Sequence, residues 1–96
     1  MHVLPQKISA DEAETLAVAA FSAITGDGER MSRFMAVSGL QPETIRQAAG
    51  SPRFFAGILD YVVSDEPLLI ALATEMSVKP ERIMGAHLAL SPSEFE

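Results

Sequence analysis

A ten-residue sequence pattern that occurs twice, 38 residues apart, constrains this fold more than any other feature of the sequence. Residues 39–48 read GLQPETIRQA, and residues 77–86 read SVKPERIMGA. Proline fits the first turn of a helix because no backbone N–H donor is needed there, and the following glutamate is stabilised by the positive end of the helix dipole. Each copy therefore predicts a tight turn followed by a new helix.

The similarity also extends upstream of this pattern at the same 38-residue spacing. Asp27 corresponds to Asp65, and the apolar Phe34 corresponds to the apolar Leu72. Two copies are too few for a solenoid, which needs about three or more repeats. The spacing therefore favours a single bundle built from two related helix-turn-helix pairs. A chance similarity between two proline-started helices is the alternative.

Helix-start signals and apolar residues at three- and four-residue steps together predict five or six short helices. Ser9 and Glu12 have the spacing of a capping box at the start of the first helix. Gly39 and Gly50 are placed to end the second and third helices, because glycine tolerates the left-handed conformation that often follows a helix. The fifth helix is apolar nearly all round at residues 68–73, which favours a central, well-covered position.

The predicted fold class is therefore all-α, a single compact bundle of five or six short helices. We place the helical domain at residues 8–90, a mobile N-terminal tail at residues 1–7 and a C-terminal tail at residues 91–96. No segment alternates apolar and polar residues as a half-buried strand does. A chain of 96 residues with 48% hydrophobic content can bury a modest core of its own.

The composition favours a cytoplasmic protein that does not contact membranes. The absence of cysteine excludes disulfides, thiolate nucleophiles and cysteine-based metal sites. The first residues lack the charged segment and apolar run of a signal peptide, and the longest near-apolar stretch, residues 67–73, is far shorter than the ~20 residues of a membrane span. A net charge of −6 disfavours nonspecific binding to nucleic acid or anionic lipid.

Residues that usually carry catalysis or bind metals are scarce. His2 and His87 are the only histidines, and Glu81 is the acid nearest to His87 in the sequence. A metal site needs three or four ligands at favourable spacing, and none are placed in that way. The segment 26–28, Gly-Asp-Gly, lacks the lysine and hydroxyl residue of a phosphate-binding loop and is typical of a turn with a helix cap. We therefore predict no catalytic residues, no cofactor, no metal and no enzymatic activity.

The charges divide the chain into three blocks. Residues 8–29 carry five acids and no base, and residues 60–96 carry seven acids against two bases. Residues 30–59 carry four arginines against one acid. Arginine suits forked contacts to carboxylate or phosphate. The candidate interaction surface consists of Arg30, Arg33, Arg46, Gln47, Arg53 and Tyr61.

Two functions of different classes are compatible with this pattern. The first is a small non-catalytic protein-interaction module, self-associating or with an unknown protein partner, because the fourth helix has more apolar positions than one helix face can hold. The alternative is helix-turn-helix binding of nucleic acid, with Thr44, Arg46 and Gln47 reading bases and the other arginines contacting phosphates. The short third helix, the acidic flanking blocks and the small number of arginines speak against this alternative. A third hypothesis is that the arginines are simply solvated or pair with acids of the neighbouring blocks, and such surface pairs add little stability.

The sequence from Gly26 to Ala86 resembles a family of small all-helical bacterial proteins, mostly alphaproteobacterial, known only as a domain of unknown function. The resemblance lies in the segments DGERMSRF at residues 27–34, SGL at 38–40, FAGILDY at 55–61 and DEPLL at 65–69. It covers about two-thirds of the chain. The resemblance implies a helical fold and a bacterial cytosolic setting, and it implies no activity, ligand or catalytic residue.

Overall fold

The computed structural model describes residues 7–91, and these residues form six α-helices and no strand. The helices are α1 (Ala10–Thr25), α2 (Gly28–Ser38), α3 (Pro42–Ala48), α4 (Pro52–Val63), α5 (Glu66–Met76) and α6 (Pro80–Leu90). The predicted all-α fold class is confirmed. The two predicted tails lie outside the described residues, apart from Lys7 and Ser91.

Local capping explains where most of the helices begin. The side chains of Ser9, Asp27, Ser51 and Asp65 each accept a hydrogen bond, of 3.0–3.2 Å, from the backbone N–H three residues ahead. Each such cap contributes about 1 kcal/mol relative to alanine. The helices α3 and α6 have no side-chain cap and begin instead at a proline. The capping box predicted at Ser9 is only half formed, because the Glu12 carboxylate pairs with Arg82 of α6.

The sequence repeat has a counterpart in local structure. The helices α2 and α5 begin and end 38 residues apart, and α3 and α6 begin with matching prolines. The turn between the helices of each pair contains a residue in the left-handed conformation, Gly39 with φ 74° and Ser77 with φ 59°. The two pairs therefore share their turn and three of their four helix boundaries, and α6 continues four residues past the position at which α3 ends.

The core lies between α1, α4, α5 and α6, and α1 is its central helix. It packs against α6, α4, α2 and α5. Its inward positions Ala13, Ala17 and Ala20 are fully buried, and small side chains at these positions let neighbouring helices approach closely. The apolar helix α5 contacts α4, α1 and α6, yet its Ile70 is 47% exposed, so one side of α5 faces solvent.

A cluster of aromatic rings holds α2 against this core. The ring of Phe34 in α2 packs edge-on against Phe21 of α1 and Tyr61 of α4, with centroids 6.3 and 5.0 Å away. Phe21 also packs edge-on against Phe54 of α4 at 5.1 Å. Edge-to-face pairs of this kind contribute about 0.5–1.5 kcal/mol beyond the area they bury.

In α3, only Ile45 is buried.

Within residues 7–91, no helix combines the length and the apolar character that crossing a membrane requires.

Candidate functional site

A groove of about 490 Å³ lies between α2 and α4, and we call it the α2–α4 groove. Leu40, Ala48 and Ser51, from α3 and the turns beside it, line the groove at the start of α4. Most of the lining is apolar, and the apolar side chains belong to Phe34, Val37, Leu40, Ala48, Phe54, Ile58 and Tyr61. Polar groups of serines, Arg53 and Asp60 complete it. The groove thus combines an apolar lining with a few polar groups.

One face of α4 forms a wall of the groove. Arg53, Gly57, Tyr61 and Ser64 recur at steps of three and four residues, which places them on the same face of the helix. A β-carbon added at Gly57 would meet no atom within 4 Å. Glycine in a helix interior is less stable than alanine by about 1 kcal/mol, and no neighbouring atom requires it here. The groove is therefore open above the bare backbone of α4 at Gly57.

Two smaller hollows continue the groove toward α5. One, of about 330 Å³, is lined by Arg30, Arg33, Tyr61 and the first two turns of α5. The other, of about 380 Å³, is lined by Arg33, Val37, Tyr61 and the turn between α4 and α5. Tyr61 lines all three concavities. A continuous concave face therefore runs from Arg53 at the start of α4 to Ala71 in α5.

The candidate surface predicted from the sequence is divided by the fold. Arg30, Arg33, Arg53 and Tyr61 all line this concave face. In contrast, Arg46 and Gln47 are exposed on α3 and line none of the three concavities. The fold therefore brings four of the six residues together on one face and leaves two on α3.

Two of the arginines form ion pairs within the chain. Arg30 donates two hydrogen bonds to Glu75, from Nη1 to Oε1 at 2.8 Å and from Nη2 to Oε2 at 2.5 Å. These hydrogen bonds hold the pKa of Glu75 below its ordinary value of 4.5, and the charge of Arg30 lowers it further against the opposing effect of burial. The same hydrogen bonds raise the pKa of Arg30. Arg33 Nη2 lies 3.4 Å from Asp65 Oδ2, so both arginines connect α2 to the α5 region.

Arg53 differs from these two arginines because it has no ion-pair partner among residues 7–91. The other charged side chain that lines the groove belongs to Asp60 and is 70% exposed. Asp60 Oδ1 lies 3.2 Å from His87 Nε2. His87 thus has an acidic neighbour from α4, 27 residues away, which sequence proximity could not indicate.

The apolar excess of α4, which suggested a partner-facing helix, is used mostly by the chain itself. Phe54, Ile58, Leu59 and Val62 are buried, and the remaining large apolar residues of α4 are half-buried. The exposed apolar residue beside the groove is instead Val37 of α2, at 65% exposure. No polar or charged side chain is buried anywhere in the described part of the chain. The same residues contain no group of three or more His, Asp or Glu that could hold a metal ion.

Comparison with known families decides where this chain belongs. Residues 10–93 match the family described as protein of unknown function (DUF3572), a match that spans all six helices and the whole concave face. The chain is a member of the DUF3572 family. The resemblance to an uncharacterised family that the sequence suggested is thereby confirmed. No curated protein and no solved structure matches the chain.

The predicted surface included only Arg53 and Tyr61 of the residues that line the groove in this DUF3572 protein. Val37, Gly57 and Leu40 are among the residues that it missed, and the first two carried a signal. Val37 is an apolar residue off the inward stripe of α2, and Gly57 is a glycine inside a helix pattern, where it costs about 1 kcal/mol relative to alanine. Leu40 carried no signal, because an apolar residue in a turn normally packs on the core. The missed residues matter because they shape the groove between the polar positions.

Proposed function

We propose that this protein is a small non-catalytic module that binds another protein through the α2–α4 groove. The observation that carries this proposal is the apolar lining of the groove with Val37 exposed beside it. Large apolar and aromatic groups in a concave pocket, surrounded by polar groups, are typical of the anchor points of protein interfaces. The proposal takes the bacterial cytoplasm as its setting, as the family resemblance implies.

The energetics favour an occupant that covers Val37. Burying a valine side chain fully contributes about 1.5–3 kcal/mol, and about two-thirds of that remains to be gained at an exposure of 65%. The half-buried ring of Tyr61 offers further apolar area together with a hydroxyl that can form a hydrogen bond. A partner that covers Val37 and Tyr61 therefore gains binding energy from apolar surface that the chain leaves uncovered.

The charged groups of the groove favour binding over acid–base catalysis. A catalytic carboxylic acid usually needs apolar surroundings that raise its pKa toward neutrality. Asp60 is exposed and lies beside His87. Arginine remains protonated in proteins, so Arg53 acts as a positive charge and a donor. The proposal therefore assigns these two groups to partner recognition.

Site-specific photo-crosslinking in cells of the source bacterium tests the proposal. A photoreactive amino acid at Ser38 or Ser64, both in the groove lining, should give a discrete protein adduct that mass spectrometry identifies. Val37→Glu should suppress this adduct, and Val18→Glu, at an exposed valine of α1, should not. Circular dichroism should show both variants folded, because both side chains are exposed. Adducts that survive Val37→Glu, or that form equally from position 18, would contradict the proposal.

Nucleic-acid binding is the second candidate, and the exposure of Arg46 and Gln47 on α3 favours it. The ion pairs of Arg30 and Arg33 with acids weigh against it, because those two arginines are then less available to phosphate. Binding of this kind would fall steeply with salt and would be lost in Arg33→Ala combined with Arg46→Ala. A mobility-shift assay with mixed duplex DNA at low salt decides it, since no shift would dispose of this candidate.

A further inference from the structure

We propose that the occupant of the α2–α4 groove is an amphipathic helix of a different protein, acidic at the end that lies over Arg53 and basic at the other end. This inference rests on the proposed function and names the partner's chemistry. Three properties of the concave face carry it: its elongated shape, its bare stretch at Gly57 and the separation of its charges.

The shape fits a helix of about three turns. The wall of α4 from Arg53 to Ser64 is ~16 Å long at 1.5 Å per residue, and two further hollows continue it. A compact small molecule would leave most of this length empty. An extended peptide would find no strand edge to pair with, because the walls are helices whose backbone groups bond within each helix. A helix needs only side-chain packing between α2 and α4.

Gly57 allows such a helix to approach closely. The position is exposed, it lies in the middle of α4, and nothing in the described chain would touch a side chain there. Close approach of another backbone is a common reason for glycine at an otherwise unfavourable helix position. The apolar residues of the incoming helix would then reach Val37, Leu40 and Tyr61, which are apolar lining residues that the chain itself leaves exposed or half-buried.

The charges along the groove give the helix a direction. Arg53, without an ion-pair partner among residues 7–91, lies at one end. The other end carries Asp60, Asp65 and Glu66 against Arg30 and Arg33, and the charge of Arg30 is already paired with Glu75, which lines none of the concavities. Opposite charges across an interface fix register and orientation more than they raise affinity. A helix with acids at one end and bases at the other therefore complements the groove in one orientation.

A second copy of the chain fits this role poorly. A helix that enters a groove needs at least two large apolar residues on one exposed face. The exposed large apolar residues of the described chain are Val18, Val37, Ile70 and Leu88, and each lies on a different helix. None of the six helices therefore presents the apolar stripe that docking into the groove of another copy requires. A different protein is the better occupant.

A phage-displayed library of 14-residue helices tests the inference, with apolar residues fixed along one face and the flanking positions randomised. Selection on the full chain should enrich helices with Asp or Glu at one end and Lys or Arg at the other. Binding of a selected peptide, measured by fluorescence anisotropy, should weaken about tenfold in Arg53→Glu and should be abolished in Gly57→Phe. The matched charge reversal Arg46→Glu should change the affinity by less than about twofold, because Arg46 lines none of the concavities.

Each other result assigns the groove differently and overturns the inference. No enrichment, or selected helices without charge separation, would reject the proposed helix while a crosslinked partner at Ser38 or Ser64 still upheld the proposed function. A concentration-dependent dimer that Gly57→Phe disrupts would make a second copy the occupant. A small molecule that copurifies with the parent and not with Gly57→Phe would replace the helix. Much tighter peptide binding by a chain ending at Ser91 would assign the groove to residues 92–96.

Discussion

Replacing Gly57 with alanine should stabilise the protein, although it removes a residue of the proposed binding groove. Gly57 lies in the interior of α4, and its β-carbon would meet no atom within 4 Å, so alanine introduces no clash. Alanine is more favourable than glycine in a helix interior by about 1 kcal/mol, in part because it restricts the unfolded chain. For a domain of this size that gain corresponds to a rise in Tm of about 4–8 °C.

Urea denaturation monitored by circular dichroism measures this free energy, and Gly39→Ala is the matched control. Gly39 has φ 74°, and an alanine there would adopt a left-handed conformation that costs about 1–2 kcal/mol. The same glycine-to-alanine change should therefore raise the unfolding free energy at position 57 and lower it at position 39. A Gly57→Ala protein that is no more stable than the parent would refute the reasoning. It would mean that folding itself requires this glycine, and the argument for close approach of a partner would lose its basis.

Three further predictions test the packing, the turn of the repeat and the ion pair. Phe34→Ala should lower the unfolding free energy, measured in urea, by about 3–5 kcal/mol, because this 3%-exposed ring packs against two other rings. A loss below about 1 kcal/mol would contradict the aromatic cluster. Ser77→Gly should raise the unfolding free energy by about 0.5–1 kcal/mol, because Ser77 has φ 59°, and a destabilised variant would argue against a left-handed turn. Glu75→Gln should reduce the loss of stability between about pH 6 and pH 3. A carboxylate whose pKa is lowered in the folded state stabilises the fold above its ordinary pKa of 4.5. That stabilisation disappears as the pH falls through the lowered pKa, and glutamine has no such contribution to lose. Equal acid sensitivity of parent and variant would mean that the Arg30–Glu75 pair does not persist in solution.

Local signals explain why the helices could be predicted from the sequence. The caps at Asp27, Ser51 and Asp65, the left-handed residue Gly39 and the helix-initiating prolines all act on residues within one turn of themselves. Such interactions depend only on the neighbouring sequence. Most helix starts and the all-α class therefore follow from the sequence without any tertiary contact.

Long-range contacts could not be predicted in the same way. Arg30 and Glu75 are 45 residues apart, and nothing in the sequence distinguishes Glu75 from the other acids. The composition of α5 also indicated a central helix, but the alanines of α1 allow closer packing, and α1 has the wider set of neighbours. Which helix is central depends on how closely neighbouring helices can approach, and apolar content alone does not give this. The groove depends on the same packing, so only its individual residues could be proposed.

The two copies of the repeat show why a groove forms beside the first copy. Leu68 and Glu75 of α5 occupy the positions that Arg30 and Val37 occupy in α2. In the second copy the apolar residue packs against the core and the charged one is exposed, as in an ordinary surface helix. In the first copy the charged residue is the one that faces the rest of the protein, since Arg30 pairs with Glu75, and the apolar residue Val37 is 65% exposed. The ion pair between Arg30 and Glu75 therefore connects the two copies of the repeat within the chain. The exchange of apolar and charged positions between the copies leaves Val37 uncovered at the groove. A folding requirement explains the features that the copies share, and the proposed binding of a partner would explain the position at which they differ.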